Sequence, residues 1–438
     1  MASNLAHPDS CPATKTELDL WVVPATQLAI QRKYDVEYRP VASITGETPM
    51  IEFVVPASAD QYWDLDETYL QVKMKAKLVK TAANARTEVK TDAAGRKLFS
   101  PVNNFMHSLF QRVDFELNGQ LVTSTSQHYP YRSYMEVLLN YSKEAMDTHL
   151  SGSGWLKDTD FKLSEKRAEL VADDGTIDLL GRLRLDLFNQ GRLMLSGVEM
   201  KLTLQAHRPS FYFITTDGEH TVEVSWTQVA LFLTCCRLQS PILTAQEKAL
   251  ATTPAIYPIT RTEVKQFVIP AGAGNVPIDT LFAGQLPRRM FMVMVSNTAE
   301  NGSFTTNPFE FKHYDVAHLS CLVNGEAYPA IPLTPDFSKK LCKREYHNLL
   351  NSVEQVRTRP TLTVTPSEFE SGYTIFAWNL AADFSDGCSS HLNPIKRGTC
   401  RLELRFHKPL PEVITILFLA EFDNYITIDK DRNIDKNF

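Results

Sequence analysis

From Tyr69 to Lys80 the chain reads YLQVKMKAKLVK, an alternation that suits a β-strand with one face on a core and the other in water. Leu70, Val72, Met74, Ala76 and Leu78 fall on one face, and Lys73, Lys75 and Lys77 on the other, which predicts a half-buried strand with a solvated basic face. Similar β-rich runs recur at Val113–Leu117, Val198–Gln205, Phe211–Thr215, Val222–Cys235, Val264–Ile269, Met290–Val295 and Ala317–Val323. They continue at Leu362–Thr365, Tyr373–Trp378, Cys400–His407, Val413–Phe422 and Tyr425–Ile428. Turn residues punctuate them, notably Asn118-Gly119 and Asn324-Gly325, pairs suited to the positive φ angles of tight hairpins. Helical spacing is confined to Ser133–Met146, Thr244–Leu250 and Asp336–Leu350; Thr244 and Glu247 have the spacing of a capping box. Many short strands with little helix predict an all-β protein built from sandwiches.

The second half of the chain repeats the first in order. PheValValPro at 53–56 returns as PheValIlePro at 267–270, and the Asn-Gly turn at 118–119 returns at 324–325. Leu138-Leu139-Asn140 matches Leu349-Leu350-Asn351, Lys201-Leu202-Thr203-Leu204 matches Arg401-Leu402-Glu403-Leu404, and Leu231-Phe232-Leu233 matches Leu417-Phe418-Leu419. The offsets drift between about 214 and about 186 residues, as expected of a duplicated domain whose loops have diverged. The expected division is an arm at 1–30, a first β-domain at 31–240 and a connector with a short helix at 241–255. A second β-domain follows at 256–430, with a polar tail at 431–438. A length of 438 residues suits two such domains.

Composition narrows the function. A net charge of −6 supplies no overall attraction for nucleic acid, and the basic spots at Arg96-Lys97, Lys339–Arg344 and Lys396-Arg397 are short and far apart, so no sequence-specific nucleic-acid binding is expected. The N-terminal residues lack the basic and apolar regions of a secretory signal, which predicts synthesis in the cytosol. Seven cysteines, with Cys235 and Cys236 adjacent, show no metal spacing and are expected to be buried free thiols. His313 and His318 are five apart, which on a strand sends them to opposite faces. The cluster Asp60, Asp64, Asp66 and Glu67 around Trp63 reads as a solvated strand entry. No GxSxG, P-loop or GxGxxG occurs, so no catalytic residue, cofactor or metal is assigned.

Longer blocks resemble a known family. TyrTrpAspLeuAspGluThrTyrLeu at 62–70, AspLeuPheAsnGln at 186–190, GlyArgLeuMetLeuSerGlyValGluMet at 191–200 and LeuPheAlaGlyGlnLeuProArgArg at 281–289 are similar to the major capsid proteins of Polinton/Maverick elements and adintoviruses. So are AsnProPheGluPheLysHisTyr at 307–314, ProLeuThrProAspPhe at 332–337, GlyTyrThrIlePheAla at 372–377 and AlaGluPheAspAsn at 420–424. The resemblance implies two tandem eight-stranded jelly rolls, a double jelly roll. It also implies a homotrimer with a pseudo-hexagonal outline that tiles an icosahedral capsid around double-stranded DNA, next to neighbouring capsomers and a single jelly-roll vertex (penton) protein. A cysteine protease and a packaging ATPase of the same element are the implied accessory partners. The family carries no catalytic residue in this protein, so the expected role is structural and its place the virion. The arm, with Leu20, Trp21, Val22 and Val23, is expected to clamp onto a neighbouring capsomer or the inner shell. The rival reading is a double jelly-roll hydrolase or carbohydrate-binding protein, which requires a cleft with convergent carboxylates or exposed aromatics beside Ca²⁺.

Overall fold

The computed structural model describes residues 16–18, 20–21, 23–44, 46, 49–82, 85–88, 97–123, 127–216, 219–353, 362–382, 384 and 392–437. The first half contributes β1 Ile30–Tyr38, β2 Met50–Val55, β3 Gln61–Ala82, β4 Ala85–Glu88, β5 Phe99–Pro101, β6 Phe110–Leu117, β7 Gln120–Leu121, β8 Thr176–Arg182, β9 Met200–Ala206, β10 Phe213–Thr215 and β11 His220–Leu238. The second contributes β12 Ala255–Ile269, β13 Asn275–Gln285, β14 Arg289–Ser296, β15 Val316–Val323, β16 Glu326–Leu333, β17 Phe376–Asn379, β18 Arg397–Phe406, β19 Ile414–Ile428 and β20 Ile434–Lys436.

The pairing is the same in both halves. In the first, one sheet runs β1-β11-β3 with β8 and β4 also on β3, and the other runs β2-β9-β6-β7. In the second, one sheet runs β12-β19-β14-β17 with β20 on β19, and the other runs β13-β18-β15-β16. Among the described residues the ladders within these four sheets are all antiparallel. Replacing β1, β2, β3, β6, β7, β8, β9 and β11 by β12 to β19 in order turns the first pattern into the second. Four of the five internal matches occupy equivalent places in this scheme. The fifth does not, because Phe53–Val55 lies in β2 whereas Phe267–Ile269 closes β12, one strand earlier in the order. Apolar β-residues with a terminal proline recur at many strand ends, so that resemblance carried no positional information.

The alternation of β3 holds in three dimensions: Leu70, Val72, Met74, Ala76 and Leu78 are all buried. The lysine face is laced with acids, with Lys75 3.4 Å from Asp174, while Lys77 lies opposite Glu223 on β11 and Lys73 opposite Asp178 on β8. It is therefore a balanced surface and not a bare basic one. Val413–Phe422 and Tyr425–Ile428 join into the single strand β19, since the polar pair Asp423-Asn424 is buried inside it. β14 and most of β19 are buried on both faces, which replaces alternation with a continuous apolar run.

The helices begin and end elsewhere than expected. The first spans Tyr129–Asn140, starting earlier because Pro130 suits a first turn, and it stops where Tyr141 turns extended. A short helix, Lys143–Asp147, then restarts on a cap from Ser142. The connector helix is Ser240–Leu250; the Thr244 hydroxyl donates to the Ser240 carbonyl in mid-helix, so Thr244-Glu247 is not its capping box. Asp336–Leu350 splits into a single turn at Phe337–Lys339, broken where Lys340 adopts φ 57°, and a helix at Lys343–Ser352. Leu362–Thr365 is not a strand: Thr365 instead caps the short helix Pro366–Phe369 in a capping box with Glu368. The tail is also structured in part, since β20 pairs with the end of β19.

Candidate assembly surfaces

The two sandwiches meet through a buried aromatic and ionic junction. On the first, Tyr131 and Tyr134 project from the helix Tyr129–Asn140, all of which is buried except Asn140. The second covers them with the segment after β14: Phe309 stacks on Tyr134 at 4.2 Å and meets Tyr131 edge-on, and Phe311 meets Tyr134 edge-on. Aromatic stacking of this kind adds to the free energy of simple area burial. A glycine permits the closest approach, since a Cβ at Gly372 would lie 2.2 Å from the Phe161 ring.

Two carboxylates repeat one device at this junction. Asp158 holds Arg167 at 2.6 Å in the first sandwich and accepts from Asn307 of the second at 3.3 Å. Asp186 holds Arg132 at 2.6 Å and accepts the Thr262 amide of the second at 3.3 Å. Burial pushes the Asp158 carboxyl up to about 6 against the pull of Arg167, and raises Asp186 in the same way. Groups this enclosed contribute by fitting their partners, because either one left alone is a buried uncompensated charge.

A cleft of about 430 Å³ opens beside the junction, lined in part by Asp66, Glu136, Arg184, Arg288, Arg289 and Glu421. Carboxylates do converge here, a feature the sequence alone did not reveal. Each is engaged: Asp66 by Arg182 at 3.4 Å, Glu136 by Arg132 at 2.9 Å, and Glu421 by Arg288 at 3.0 Å and by Arg289. Arg288 also holds Asp423 at 2.9 Å. Ion pairs on this pattern brace walls. They leave no carboxylate paired with another as acid and base.

The two Asn-Gly turns do more than reverse the chain. Asn118 and Gly119 have φ 49° and 74°, and Asn324 and Gly325 have φ 52° and 89°. The Asn118 amide N–H donates to the Glu199 carbonyl at 2.9 Å while its side-chain oxygen accepts from the Glu199 amide at 2.8 Å. Asn324 does the same with Thr399, at 3.0 and 2.9 Å. Each turn is thus tied to the neighbouring strand of its sheet. Asn118 has an additional bond, from its side-chain amide to the Arg432 carbonyl at 2.8 Å, and Arg432 reaches back to Ser196 at 2.8 Å.

In the arm, Leu20, Trp21 and Val23 are exposed, Trp21 at 86%, so this chain leaves them uncovered; Val22 lies outside the described residues. The acidic cluster is paired with bases: Asp64 and Glu67 with Lys33, Asp60 with Arg237. His313 stacks on Phe337 at 4.2 Å and accepts the Asp315 amide, and its pKa is lowered mainly by burial. Cys235 and Cys236 are buried free thiols. Cys321 and Cys400, distant in sequence, come within 3.4 Å across β15 and β18. Among the described residues no group of three His, Cys, Asp or Glu side chains is placed to hold a metal.

Solved structures share this architecture along nearly the whole chain. A chain of the Sputnik virophage aligns with a TM-score of 0.64 at 11% identity, covering 100% of this chain and 95% of its own. The fold is a double jelly roll. The mavirus major capsid protein aligns with a TM-score of 0.61 at 11% identity over 99% of this chain and 96% of its own. The Faustovirus major capsid protein does so at 0.56 and 10%, over 94% and 92%. An uncharacterized protein of Caenorhabditis elegans is 28% identical over 418 residues, 94% of this chain and 98% of that protein. No family model matches the double jelly-roll chain.

Proposed function

We propose that this chain is a major capsid protein: three copies form a pseudo-hexagonal capsomer, and capsomers tile an icosahedral shell around a double-stranded DNA genome. The observation that carries the reading is the repetition of one eight-strand connectivity within a single chain, with the two rolls locked at a buried junction. Two similar rolls per chain supply six similar corners from three chains, which fits a hexagonal lattice. The virophage, mavirus and Faustovirus structures of the same fold support it, since two of them are themselves major capsid proteins. We extend the reading to a Polinton/Maverick-like element, on the sequence blocks quoted above; the Caenorhabditis elegans relative shares the chain along 98% of its own length. On this reading the rolls occupy 31–240 and 256–430, and the protein resides in the virion beside a vertex protein. A protease and packaging ATPase act on the same particle. The paired carboxylates of the cleft favour a structural role over hydrolysis.

The test is the mass and outline of the expressed chain. A trimer of about 150 kDa, three times the 49.5 kDa chain, with a six-cornered projection is expected; a monodisperse monomer overturns the proposal. We assign the exposed arm with Leu20, Trp21 and Val23 to contacts between capsomers. Deleting residues 1–30 should leave folded trimers that do not assemble into shells, as seen by electron microscopy. Normal shells from the truncated chain remove the arm from that role.

A further inference from the structure

The two rolls differ at one equivalent place. In the first, the helix between β7 and β8, Tyr129–Asn140, is covered by Phe309 and Phe311 of the second roll. In the second, the helix between β16 and β17, Lys343–Ser352, buries only Glu345, Leu349 and Ser352 of its 10 residues. Leu341, just before it, is 63% exposed, and Ile331 on the adjoining strand β16 is 70% exposed. Arg344 joins the two: its guanidinium donates to the carbonyls of Pro332 at 2.9 Å and Ile331. β16 is also a sheet edge, paired among the described residues with β15 alone.

We infer that the face around Ile331, Leu341 and the helix Lys343–Ser352 is where the first roll of a second copy docks, repeating between chains the contact that the two rolls make within one. This rests on the capsid reading and names the surface that joins its chains. The argument is continuity with the internal junction. A roll-to-roll contact that joins unlike faces is heterologous, and repeating it carries an open face at the end of every chain until the ring closes. Within the chain the contact covers the helix of the first roll. The equivalent helix of the second roll is the open end, and beside it Leu341 and Ile331 present large apolar side chains to water where a partner is due. Its rim fits a subunit contact: Lys339, Lys340, Lys343 and Arg344 surround Leu341, and Asp336 and Glu370 balance Lys339 and Lys343 at 2.9 and 2.8 Å. The face is thus a small apolar centre inside a polar, partly neutralised rim, the usual anatomy of an interface between folded subunits.

The experiment compares the full-length protein with Leu341→Glu, Ile331→Asp and the distant exposed-site control Val268→Asp, by sedimentation over a dilution series. Val268 is 52% exposed on β12 and tests whether any exposed apolar-to-acid change suffices. The expected result is that Leu341→Glu and Ile331→Asp each raise the concentration of half-dissociation at least about tenfold, while Val268→Asp leaves it unchanged. All three should keep the wild-type circular dichroism and melting temperature measured at a dilution where every protein is monomeric. Trimers of wild-type strength from both Leu341→Glu and Ile331→Asp overturn the inference and leave the capsid reading standing. So does equal weakening by Val268→Asp. Loss of trimers on deleting residues 1–29, with Leu341→Glu still trimeric, assigns the contact to the arm and also overturns it. A monomeric wild-type protein overturns the capsid reading itself.

Discussion

The helix Tyr129–Asn140 and the helix Lys343–Ser352 occupy the same position in the two rolls, yet one is interior and the other superficial. Their sequences follow suit: YPYRSYMEVLLN carries three tyrosines and buries even its Arg132 and Glu136, whereas KREYHNLLNS keeps most of its charge outside. The duplication preserved the connectivity, and the packing of one roll on the other then made the copies unequal. A side chain's environment depends on which roll it belongs to, even where its place in the fold is the same.

Matched substitutions can break this comparison. Tyr134→Ala removes a ring enclosed between the rolls and is expected to cost about 3–5 kcal/mol in denaturant unfolding. Tyr346→Ala, on the superficial helix and edge-on to Phe369 at 5.7 Å, is expected to cost about half as much. Equal losses would show that the two helices are not differently packed. Asp158→Ala strands Arg167 in the junction and is expected to cost about 3–4 kcal/mol, with part recovered in Asp158→Ala/Arg167→Met. Full additivity of the pair in a double-mutant cycle would show that the two charges do not communicate.

Smaller effects sharpen the same contrast at the turns. Asn118→Gly keeps the positive φ but removes the side-chain bonds to Glu199 and Arg432, and should cost about 1–3 kcal/mol. Asn324→Gly removes the bond to Thr399 and should cost about 1 kcal/mol. The reverse order would place the weight of these turns elsewhere than in the extra bond to the tail.

The last effect is on pH. Burial holds His207, stacked on Phe211, down to about 3, and also depresses His107 well below the usual imidazole range. The unfolded chain then takes up protons below about pH 6.5 that the folded chain refuses, so these residues make stability fall as pH drops from there toward 3. His207→Gln should remove from that slope at most about 1.4 kcal/mol per pH unit, measured by melting across the window. An unchanged slope would assign the acid sensitivity to other groups.

Much of the fold was legible in the sequence because a strand shows its two faces residue by residue. The β3 alternation, the Asn-Gly turns and the ordered matches in β9 and β18 and in β11 and β19 were local signals of this kind. Strands such as β13 and β16 escaped notice, since prolines interrupt Asn275–Gln285 and Glu326–Leu333 and their edge positions leave residues exposed. Helix starts were misplaced where proline or a backbone break set the boundary. The segments 147–180 and 296–312 have the polar, glycine-containing composition of surface loops, yet Trp155, Phe161, Arg167, Phe309 and Phe311 are buried. An aromatic loop that faces solvent and one that faces a second roll have the same composition.

By itself, then, the sequence determined that the chain is all-β, that one pattern occurs twice, and where the two hairpins turn. Those properties follow from periodicity and backbone φ, which nearby residues control. Only the tertiary structure decided which helix is enclosed, which carboxylate holds which guanidinium, and that Cys321 meets Cys400 from 79 residues away. Each of these depends on distant segments being brought together, with the charge and shape of one side meaningful only once the other is in place.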